Sequence, residues 1–278
     1  MKFTVCGGDL RGVFLVRRLL EDGHIVRCFG LETANIPHFC HCTLAEAMED
    51  TDCVILPTPM VQGDVLHAPF SSRPIPIDEL LRSIPKEIRV FGGSIPEPLL
   101  LQCTAQRMEL TDLLSMEALA VKNAAITAEC ALQLILQEIP YTLAGQSVLI
   151  LGAGRIGKLL ALKLQALGAH VTVTSRTEAD QAWCTALGFA AADAATISPT
   201  LHTFHLVVNT IPARVLTDAQ LQLLPKDALL FELASKPGGF HSALEPLTVI
   251  SCGGLPGKYA PQSAANAIAE TIYHRLEC

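Results

Sequence analysis

The chain has 278 residues, of which half are hydrophobic and 17% are charged, and its formal net charge is −7. This composition excludes a disordered chain, and the negative charge argues against a nucleic-acid surface, which requires a basic face. The length allows one large domain or two medium domains, each with a full core.

The first part of the chain predicts a βαβ unit. An apolar run opens it without the basic region of a signal peptide, so we predict a cytoplasmic protein. The run ends at Gly7-Gly8, and apolar positions at helical spacing continue until Gly23. Residues 61–78, rich in Pro, Ser and His, are predicted to be irregular. Further strands are predicted at residues 24–29, 53–60 and 88–93.

The ten cysteines are scattered along the chain, and the densest group lies in HFCHC, residues 38–42. His38, Cys40, His41 and Cys42 could suggest a metal site, but a zinc site normally adds a second ligand pair at a distance. We therefore predict no metal, and thiols that stay reduced.

The second part of the chain alternates strands and helices more regularly. Residues 112–139 contain no Gly or Pro and predict one long helix or two shorter ones between the strand-rich halves. The longest apolar region, residues 148–169, is interrupted by Arg155, Lys158 and Lys163, which argues against a membrane span. Later strands are predicted at residues 147–152, 170–175, 205–212, 228–235 and 247–254, and an amphipathic helix at 261–276.

We therefore predict an α/β fold of two Rossmann-like, doubly wound parallel-sheet domains joined by long helices. The N-terminal α/β domain, residues 1–125, is expected to bind substrate, and residues 126–261 to form the dinucleotide-binding domain. The C-terminal helix, 262–278, is expected to pack back on the first domain. The apolar helices at 112–139 and 261–276 either provide the surface of a homo-oligomer or pack between the domains.

The segment LGAGRIG carries the spacing of a dinucleotide-binding loop. Gly152 allows the tight turn, Gly154 the close approach of backbone to pyrophosphate, and Gly157 close packing of helix on sheet. Arg155 and Ile156 open the following helix, whose free N–H groups attract phosphate. Because the loop follows an apolar strand, we predict a dinucleotide site at these five residues.

Ser175, Arg176 and Thr177 follow the second strand of this unit, where NAD-specific folds place an acid. An acid accepts hydrogen bonds from the ribose hydroxyls and repels a 2′-phosphate, whereas a guanidinium suits phosphate. We therefore predict NADP(H) in preference to NAD(H). The alternative is a solvated arginine that stacks on adenine.

Other strand ends are expected to contact the cofactor, because ligands of such sheets bind outside the carboxyl ends of the strands. Three segments rich in Gly and Pro lie there. The predicted cofactor residues in them are Asn209, Thr210, Ile211, Pro212, Ala234, Ser235, Lys236, Leu255, Pro256 and Gly257.

The first strand ends differently, at Gly7-Gly8-Asp9. This turn lacks the G-x-G-x-x-G spacing, and Asp9 would repel a pyrophosphate, so we predict no second nucleotide site. Asp9 and Arg11 are instead predicted to bind substrate.

The chain resembles the family of dipicolinate synthase A-subunits over almost its full length. The likeness lies in VCGGDLR, VILPTP, NAAITAE, LGAGRIG, NTIP, ELASKPGG and GLPGKYAP, in that order. The chain departs from the family at Ile126 and Cys130, where Pro and Gly are usual. The resemblance implies a fold like the D-2-hydroxyacid dehydrogenases and an enzyme of a spore-forming bacterium, at a branch from lysine biosynthesis. It also implies oxidation of dihydrodipicolinate to dipicolinate with NADP+, together with a flavoprotein-like partner, the B-subunit of dipicolinate synthase.

Oxidation of a dihydropyridine requires transfer of one hydride and loss of one proton, so orientation and charge complementarity are the main requirements. A dicarboxylate substrate requires cations, for which the candidates are Arg11, Lys122, Lys236 and Lys258. The proton acceptor is left open among Asp9, Glu117 and Glu129.

Two other functions are compatible with the sequence. The Arg-Thr pair after the second strand is also found in shikimate dehydrogenase, another NADP-linked enzyme of two α/β domains. A non-catalytic NADP-binding scaffold protein is the other alternative, because the family acts with a partner.

Overall fold

The computed structural model describes residues 1–34, 42–240 and 245–276. The chain divides into two compact units. The first unit comprises Met1–Asn123 and Pro256–Cys278, and the second comprises Ala124–Leu255.

The described residues form thirteen strands and ten α-helices. The strands are β1 (Lys2–Cys6), β2 (Ile25–Phe29), β3 (Cys53–Ile55), β4 (Val61–Gln62), β5 (Val65–Leu66), β6 (Arg89–Gly92), β7 (Leu110–Asp112), β8 (Ser147–Leu151), β9 (His170–Thr174), β10 (Ala190–Ala192), β11 (Leu206–Asn209), β12 (Leu229–Glu232) and β13 (Thr248–Ser251). The helices are α1 (Leu10–Glu21), α2 (Leu44–Met48), α3 (Ile77–Ser83), α4 (Glu97–Ala105), α5 (Glu117–Glu138), α6 (Arg155–Ala166), α7 (Glu178–Ala186), α8 (Asp218–Leu221), α9 (Leu255–Tyr259) and α10 (Pro261–Leu276).

The first unit contains a five-stranded parallel sheet in the order β2-β1-β3-β6-β7. Numbered within the sheet this is 2-1-3-4-5, the flavodoxin-like order, whose ligand crevice lies where the order reverses, between β1 and β3. The strands of this sheet have apolar sequences because both faces of the sheet are covered. The segment predicted to be irregular contains the short antiparallel pair β4–β5 and the first residues of α3.

Helix α10 packs on α1 within the first unit. Tyr273 Oη donates a hydrogen bond of 2.7 Å to Asp22 Oδ2, which also pairs with Arg18. The helix predicted over residues 261–276 is confirmed by α10.

The second unit contains a six-stranded parallel sheet in the order β10-β9-β8-β11-β12-β13. Within the unit this is 3-2-1-4-5-6, the order of dinucleotide-binding folds. The order reverses between β8 and β11, so the carboxyl ends of these two strands define the ligand crevice.

The long helix predicted from residue 112 begins five residues later, as α5. Asp112 ends β7 instead, and its carboxylate accepts hydrogen bonds from the backbone N–H groups of Ser94, Ile95 and Leu114. The side chain thereby competes with helix formation and starts a 3₁₀ turn, Leu113–Ser115. Beyond it, α5 is one continuous helix.

Helix α5 is long and apolar enough to cross a membrane by length and composition alone, and 44% of its most apolar window is buried. Buried core helices satisfy the same criterion, and the inward positions of α5 are small or aliphatic, such as Ala128, Ala131 and Ile135.

No group of three or more His, Cys, Asp or Glu side chains that could hold a metal occurs in the described part of the chain. Of the HFCHC segment, His38, Cys40 and His41 lie outside the described residues. Burial raises the pKa of the Cys6 and Cys53 thiols to about 12. These thiols are therefore protonated and unreactive at neutral pH.

Candidate functional site

The glycine loop of the second unit links β8 to α6 with almost no space for side chains. Gly152 has φ +109°, and a Cβ there would lie 2.6 Å from Thr210 Oγ1. A Cβ on Gly157 would lie 2.0 Å from the carbonyl oxygen of Gly152. Glycine is required at both positions, because α6 packs directly on the turn that precedes it.

Gly154 faces open space. It is the N-cap of α6, no side chain caps the helix there, and a Cβ would meet nothing within 4 Å. The first N–H groups of a twelve-residue helix are therefore accessible, together with the positive end of its dipole. A loop that excludes side chains at Gly152 and leaves helix N–H groups accessible at Gly154 fits a dinucleotide pyrophosphate.

This turn borders a groove of about 930 Å³ within the second unit. Nine predicted cofactor residues line it: Gly152, Gly154, Arg155, Ser175, Arg176, Thr177, Thr210, Ile211 and Pro212. Of the other predicted cofactor residues in this unit, Gly157 and Asn209 are buried beneath the lining, and Ile156 lies in the first turn of α6.

At the end of β9, Arg176 is exposed and makes no hydrogen bond or ion pair with any residue that the structure describes. Its neighbours are held locally. Ser175 Oγ accepts a hydrogen bond of 3.2 Å from the N–H of Thr177. Thr177 Oγ1 caps α7 by accepting from Asp180 N at 3.1 Å. The guanidinium of Arg176 is thus available to an anion in the groove.

The structure adds an ion pair to this wall that the sequence reasoning missed. Lys158 Nζ lies 2.8 Å from Asp180 Oδ1, and both residues line the groove. The hydrogen bonds of Lys158 and then Thr177 lower the pKa of Asp180 below its usual range. The only sequence signal was the spacing Thr177-x-x-Asp180, which resembles a capping box at a helix start.

A second missed residue, Glu232, organises the loops beside the groove. It is buried at the end of β12, and its Oε1 accepts from Asn209 Nδ2 at 2.7 Å and from Ala234 N at 3.1 Å. Its Oε2 accepts from the N–H groups of Gly239 and Phe240, at 2.7 and 3.0 Å. Four donors satisfy the carboxylate, which is how a buried charge is tolerated.

Asn209 connects this carboxylate to the neighbouring loop. Its Nδ2 also donates to the carbonyl of Ile211 at 2.8 Å, and its Oδ1 accepts from Ile211 N at 3.2 Å. A Cβ on Gly239 would lie 2.5 Å from Asn209 Nδ2, so this glycine permits the contact. Predicted residues Ala234, Ser235 and Lys236 therefore belong to a loop held by Glu232.

In the first unit, the turn after β1 corresponds to the glycine loop more closely than its sequence suggested. Gly7 has φ +63°, and a Cβ on Gly12 would lie 2.9 Å from the Gly7 carbonyl oxygen. Gly7 and Gly12 thus correspond in position to Gly152 and Gly157 of the second unit. The full motif is absent, as predicted, because Asp9 stands in place of the middle glycine, but the outer two glycines keep their spacing and geometry.

Asp9 caps α1 and holds Arg11. Its Oδ1 accepts from Arg11 N at 3.0 Å and from Arg11 Nε at 2.9 Å, and its Oδ2 accepts from Arg11 Nη2 at 2.8 Å. Burial alone would raise the pKa of Asp9, but the hydrogen bonds and charge of Arg11 outweigh it, so the pKa is lowered. Gly257 lies against this pair, since a Cβ there would be 2.4 Å from Asp9 Oδ2.

Asp9 and Arg11 line a small cavity at the switch point of the first sheet, together with Pro57 and Thr58 after β3. His67 was missed by the sequence reasoning. Its carbonyl accepts from Gly8 N at 2.8 Å, which fixes the segment beside the turn. Burial lowers the pKa of His67, the charge of Asp9 opposes this, and Arg11 adds to it. The imidazole is therefore neutral at pH 7 and close to the Asp9–Arg11 pair.

The other predicted catalytic residues are not part of this cluster. Lys122 Nζ lies 2.6 Å from Glu270 Oε2, and Glu129 pairs with Lys163 at 3.6 Å. Glu117 lies in the first turn of α5. Lys258, in α9, is exposed. The structure thus brings together Asp9, Arg11 and Gly257.

Residues 2–114 match the family model of the N-terminal domain of the dipicolinate synthase A-subunit. Residues 124–235 match that of "D-isomer specific 2-hydroxyacid dehydrogenase, NAD binding domain". The fold class predicted from the sequence is confirmed, and the second unit is a nicotinamide-dinucleotide-binding domain of the dehydrogenase type.

Whole-chain relatives agree with these matches. The chain is 28% identical to the dipicolinate synthase A-subunit of Bacillus subtilis (strain 168), over 98% of this chain and 94% of that protein. The crystal structure of the same synthase component from Bacillus subtilis has a TM-score of 0.87 at 27% identity, covering 100% of this chain and 96% of that one. The A-subunit structure from Bacillus halodurans has a TM-score of 0.86 at 25% identity, covering 99% and 97%.

Proposed function

We propose that this chain, which resembles dipicolinate synthase A-subunits over its whole length, oxidises dihydrodipicolinate to dipicolinate with NADP+. The observation that carries the proposal is the correspondence of both units, in one continuous alignment, with chains of that name. A nucleotide-binding domain alone is shared by many oxidoreductases, whereas the first unit matches a family model specific to this synthase.

NADP+ is the proposed cofactor because of the groove wall after β9. Ser175 and Arg176 stand where an acid would repel a 2′-phosphate, and the guanidinium of Arg176 has no partner among the described residues. The pyrophosphate is proposed to bind at the accessible N–H groups in the first turn of α6, which follows Gly154. When bound, the nicotinamide supplies the hydride acceptor.

The chain's own contribution is to bind and orient. Asn209 and Glu232 fix the loops that border the groove through six hydrogen bonds, so these loops need no reorganisation on binding. We propose that Arg11 binds one carboxylate of the substrate at the switch point of the first sheet.

For the proton lost from the ring, Asp9 is the acceptor we favour among the three candidates of the sequence analysis. Asp9 lines the cavity at the switch point of the first sheet together with Arg11, whereas Glu117 and Glu129 do not line it. Lys122, Lys236 and Lys258 remain weaker candidates for the substrate's other carboxylate, because none of them lines the cavity with Arg11.

The same resemblance supports the cellular setting that we propose. The chain acts in the cytoplasm, in the mother cell of a sporulating bacterium, at a branch from lysine biosynthesis. It acts with the flavoprotein-like B-subunit of the synthase. The apolar helices predicted at 112–139 and 261–276 are the basis on which we also propose a homo-oligomer.

The test is to generate dihydrodipicolinate enzymatically and follow dipicolinate formation by this chain with NADP+ and, separately, with NAD+. Each reaction is run with and without the flavoprotein-like partner. We expect turnover that prefers NADP+. Absence of product in every combination, with the partner folded and bound, would refute the proposed substrate. Turnover of shikimate with NADP+ instead would identify the alternative enzyme class, and NADP+ binding without any turnover would support a scaffold protein.

A further inference from the structure

We propose that Lys158 determines cofactor specificity: with Arg176 it binds the 2′-phosphate of NADP+, and Asp180 is the counter-ion that this phosphate displaces. The inference rests on the proposed use of NADP+. It concerns two residues that lie outside the glycine loop and outside the segment after β9 from which NADP+ was predicted.

The position of the pair is the first support. Lys158 lies one turn into α6, Asp180 lies in the first turn of α7, and both border the groove beside Arg176. The Lys158 and Asp180 side chains are 26% and 38% exposed. Since both side chains are in part accessible from the groove, a ligand there can reach the ammonium group without unfolding either helix.

The second support is that Thr177 is already engaged. Its Oγ1 accepts from Asp180 N at 3.1 Å and donates to Asp180 Oδ2 at 2.9 Å. The hydroxyl therefore cannot donate to a phosphate while this cap is intact. A second contact to the phosphate requires another donor. Lys158 can provide it, because its flexible side chain carries an ammonium with three N–H groups.

The third support is the charge balance of the wall. Asp180 is ionised at neutral pH, and Arg176, Lys158 and Asp180 together leave one net positive charge. A phosphate monoester carries about −1.5 to −2 charges at pH 7. The phosphate is therefore a stronger partner for the ammonium than the single carboxylate. NAD+ has no such group, so it leaves the Lys158–Asp180 pair intact.

The experiment measures binding by isothermal titration calorimetry with the full chain and three probes: NADP+, NAD+ and adenosine 2′,5′-bisphosphate. The variants are Lys158→Met, Asp180→Asn and Arg176→Met. The matched control is Lys163→Met, which removes another partly exposed, paired lysine of the same helix. Thermal unfolding of each variant shows that it is folded.

We expect Lys158→Met to weaken NADP+ and the bisphosphate about tenfold, as for loss of a charged hydrogen bond, with NAD+ unchanged within about twofold. Asp180→Asn should tighten both phosphorylated probes, because it removes a competing negative charge. Lys163→Met should change none of the three. If Lys158→Met weakened the binding of NADP+ and NAD+ equally, the ion pair would only hold α6 and α7 together. That result would overturn the inference. Selective weakening of NADP+ by Asp180→Asn would overturn the counter-ion role.

The titrations of the wild-type chain and of the Arg176→Met variant separate an incorrect role for Lys158 from an incorrect cofactor. A wild-type chain that binds NAD+ as tightly as NADP+ refutes both. If Arg176→Met abolishes the preference and Lys158→Met leaves it intact, NADP+ use stands and the role of Lys158 falls.

Discussion

The turns that follow the first strand of each unit have the same backbone design and opposite chemistry. Gly7 and Gly152 both have positive φ, and Gly12 and Gly157 both pack against the carbonyl oxygen of the glycine five residues earlier. The difference lies at the helix N-cap. Asp9 caps α1 with its carboxylate, whereas Gly154 leaves the N-terminus of α6 without a side-chain cap.

This difference shows how one residue decides what the same turn can bind. Asp9 satisfies an N–H of the first turn and places a negative charge where a phosphate would lie. Gly154 leaves both the N–H groups and the space to a ligand. A shared fold unit therefore has a dinucleotide site in one copy and an Asp–Arg pair in the other.

The most direct way to break the comparison is Gly154→Asp, which gives the second turn the cap of the first. We expect dinucleotide affinity to fall at least about a hundredfold, because a carboxylate near the pyrophosphate costs several kcal/mol at short range. Calorimetric titration with NADP+ and NAD+ measures it.

The melting temperature of the same variant is the control. It should be unchanged or slightly higher, since Asp is as good an N-cap as Gly or better. Unaltered affinity in a folded Gly154→Asp protein would contradict the placement of the pyrophosphate.

Gly157→Ala and Gly12→Ala sharpen the comparison from the packing side. The new Cβ would lie 2.0 Å from the Gly152 oxygen but 2.9 Å from the Gly7 oxygen. We expect the free energy of unfolding to fall by roughly 3 kcal/mol for Gly157→Ala and by roughly 1 kcal/mol for Gly12→Ala, because an added methyl group in a tightly packed site destabilises the fold. Urea denaturation measures both, and a larger loss for Gly12→Ala would reverse the ranking of the two turns.

Glu232→Gln tests whether the loops beside the second turn depend on the buried carboxylate. The amide nitrogen of Gln would face the N–H groups of Gly239 and Phe240, two donors that then lose their acceptor. We expect a loss of about 2 kcal/mol in unfolding free energy. Glu87→Gln, at an exposed position, is the matched control. Equal stability of the two variants would show that the carboxylate is dispensable.

Asp9→Asn tests the charge in the first turn with the smallest expected effect, about 1 kcal/mol, because Asn still caps the helix. The pKa of Asp9 is lowered in the folded state. Its ion pair therefore stabilises the fold fully above the unfolded-state pKa of about 4, and this stabilisation is lost as pH falls through the lower folded value. Urea unfolding of both proteins from about pH 7 to about pH 3 should show a gap that closes below about pH 4. A gap that widens in acid would contradict the assignment.

The sequence predicted those parts of the fold and of the site that depend on residues close together along the chain. Nine of the thirteen described strands, together with α6, α10 and the glycine loop, follow from periodicity or from short spacings, and so does the position of Arg176. The short strands β4, β5, β7 and β10 were not predicted. The start of α5 was misplaced because Asp112 draws its hydrogen bonds from Ser94 and Ile95, which lie outside any local window.

The missed site residues share a different cause. Lys158 and Asp180 are 22 positions apart, and Asn209 and Glu232 are 23 apart. His67 approaches Asp9 only because its segment folds beside the first turn. Such pairs are produced by the register of parallel strands and their crossovers, which no single segment encodes. The sequence pattern therefore predicted many of the residues that line the groove, while the ion pairs and hydrogen bonds around it required the tertiary structure.

The first unit is assembled from two separate parts of the chain, because α10 packs on α1 while residues 124–255 form the second unit between them. During translation, residues 124–255 therefore leave the ribosome before α10 does. The nucleotide-binding unit can fold while synthesis continues, whereas α1 keeps an uncovered apolar face until residues 261–276 emerge. The face of α1 that α10 covers is thus the part of the first unit whose burial waits for the segment after the second unit.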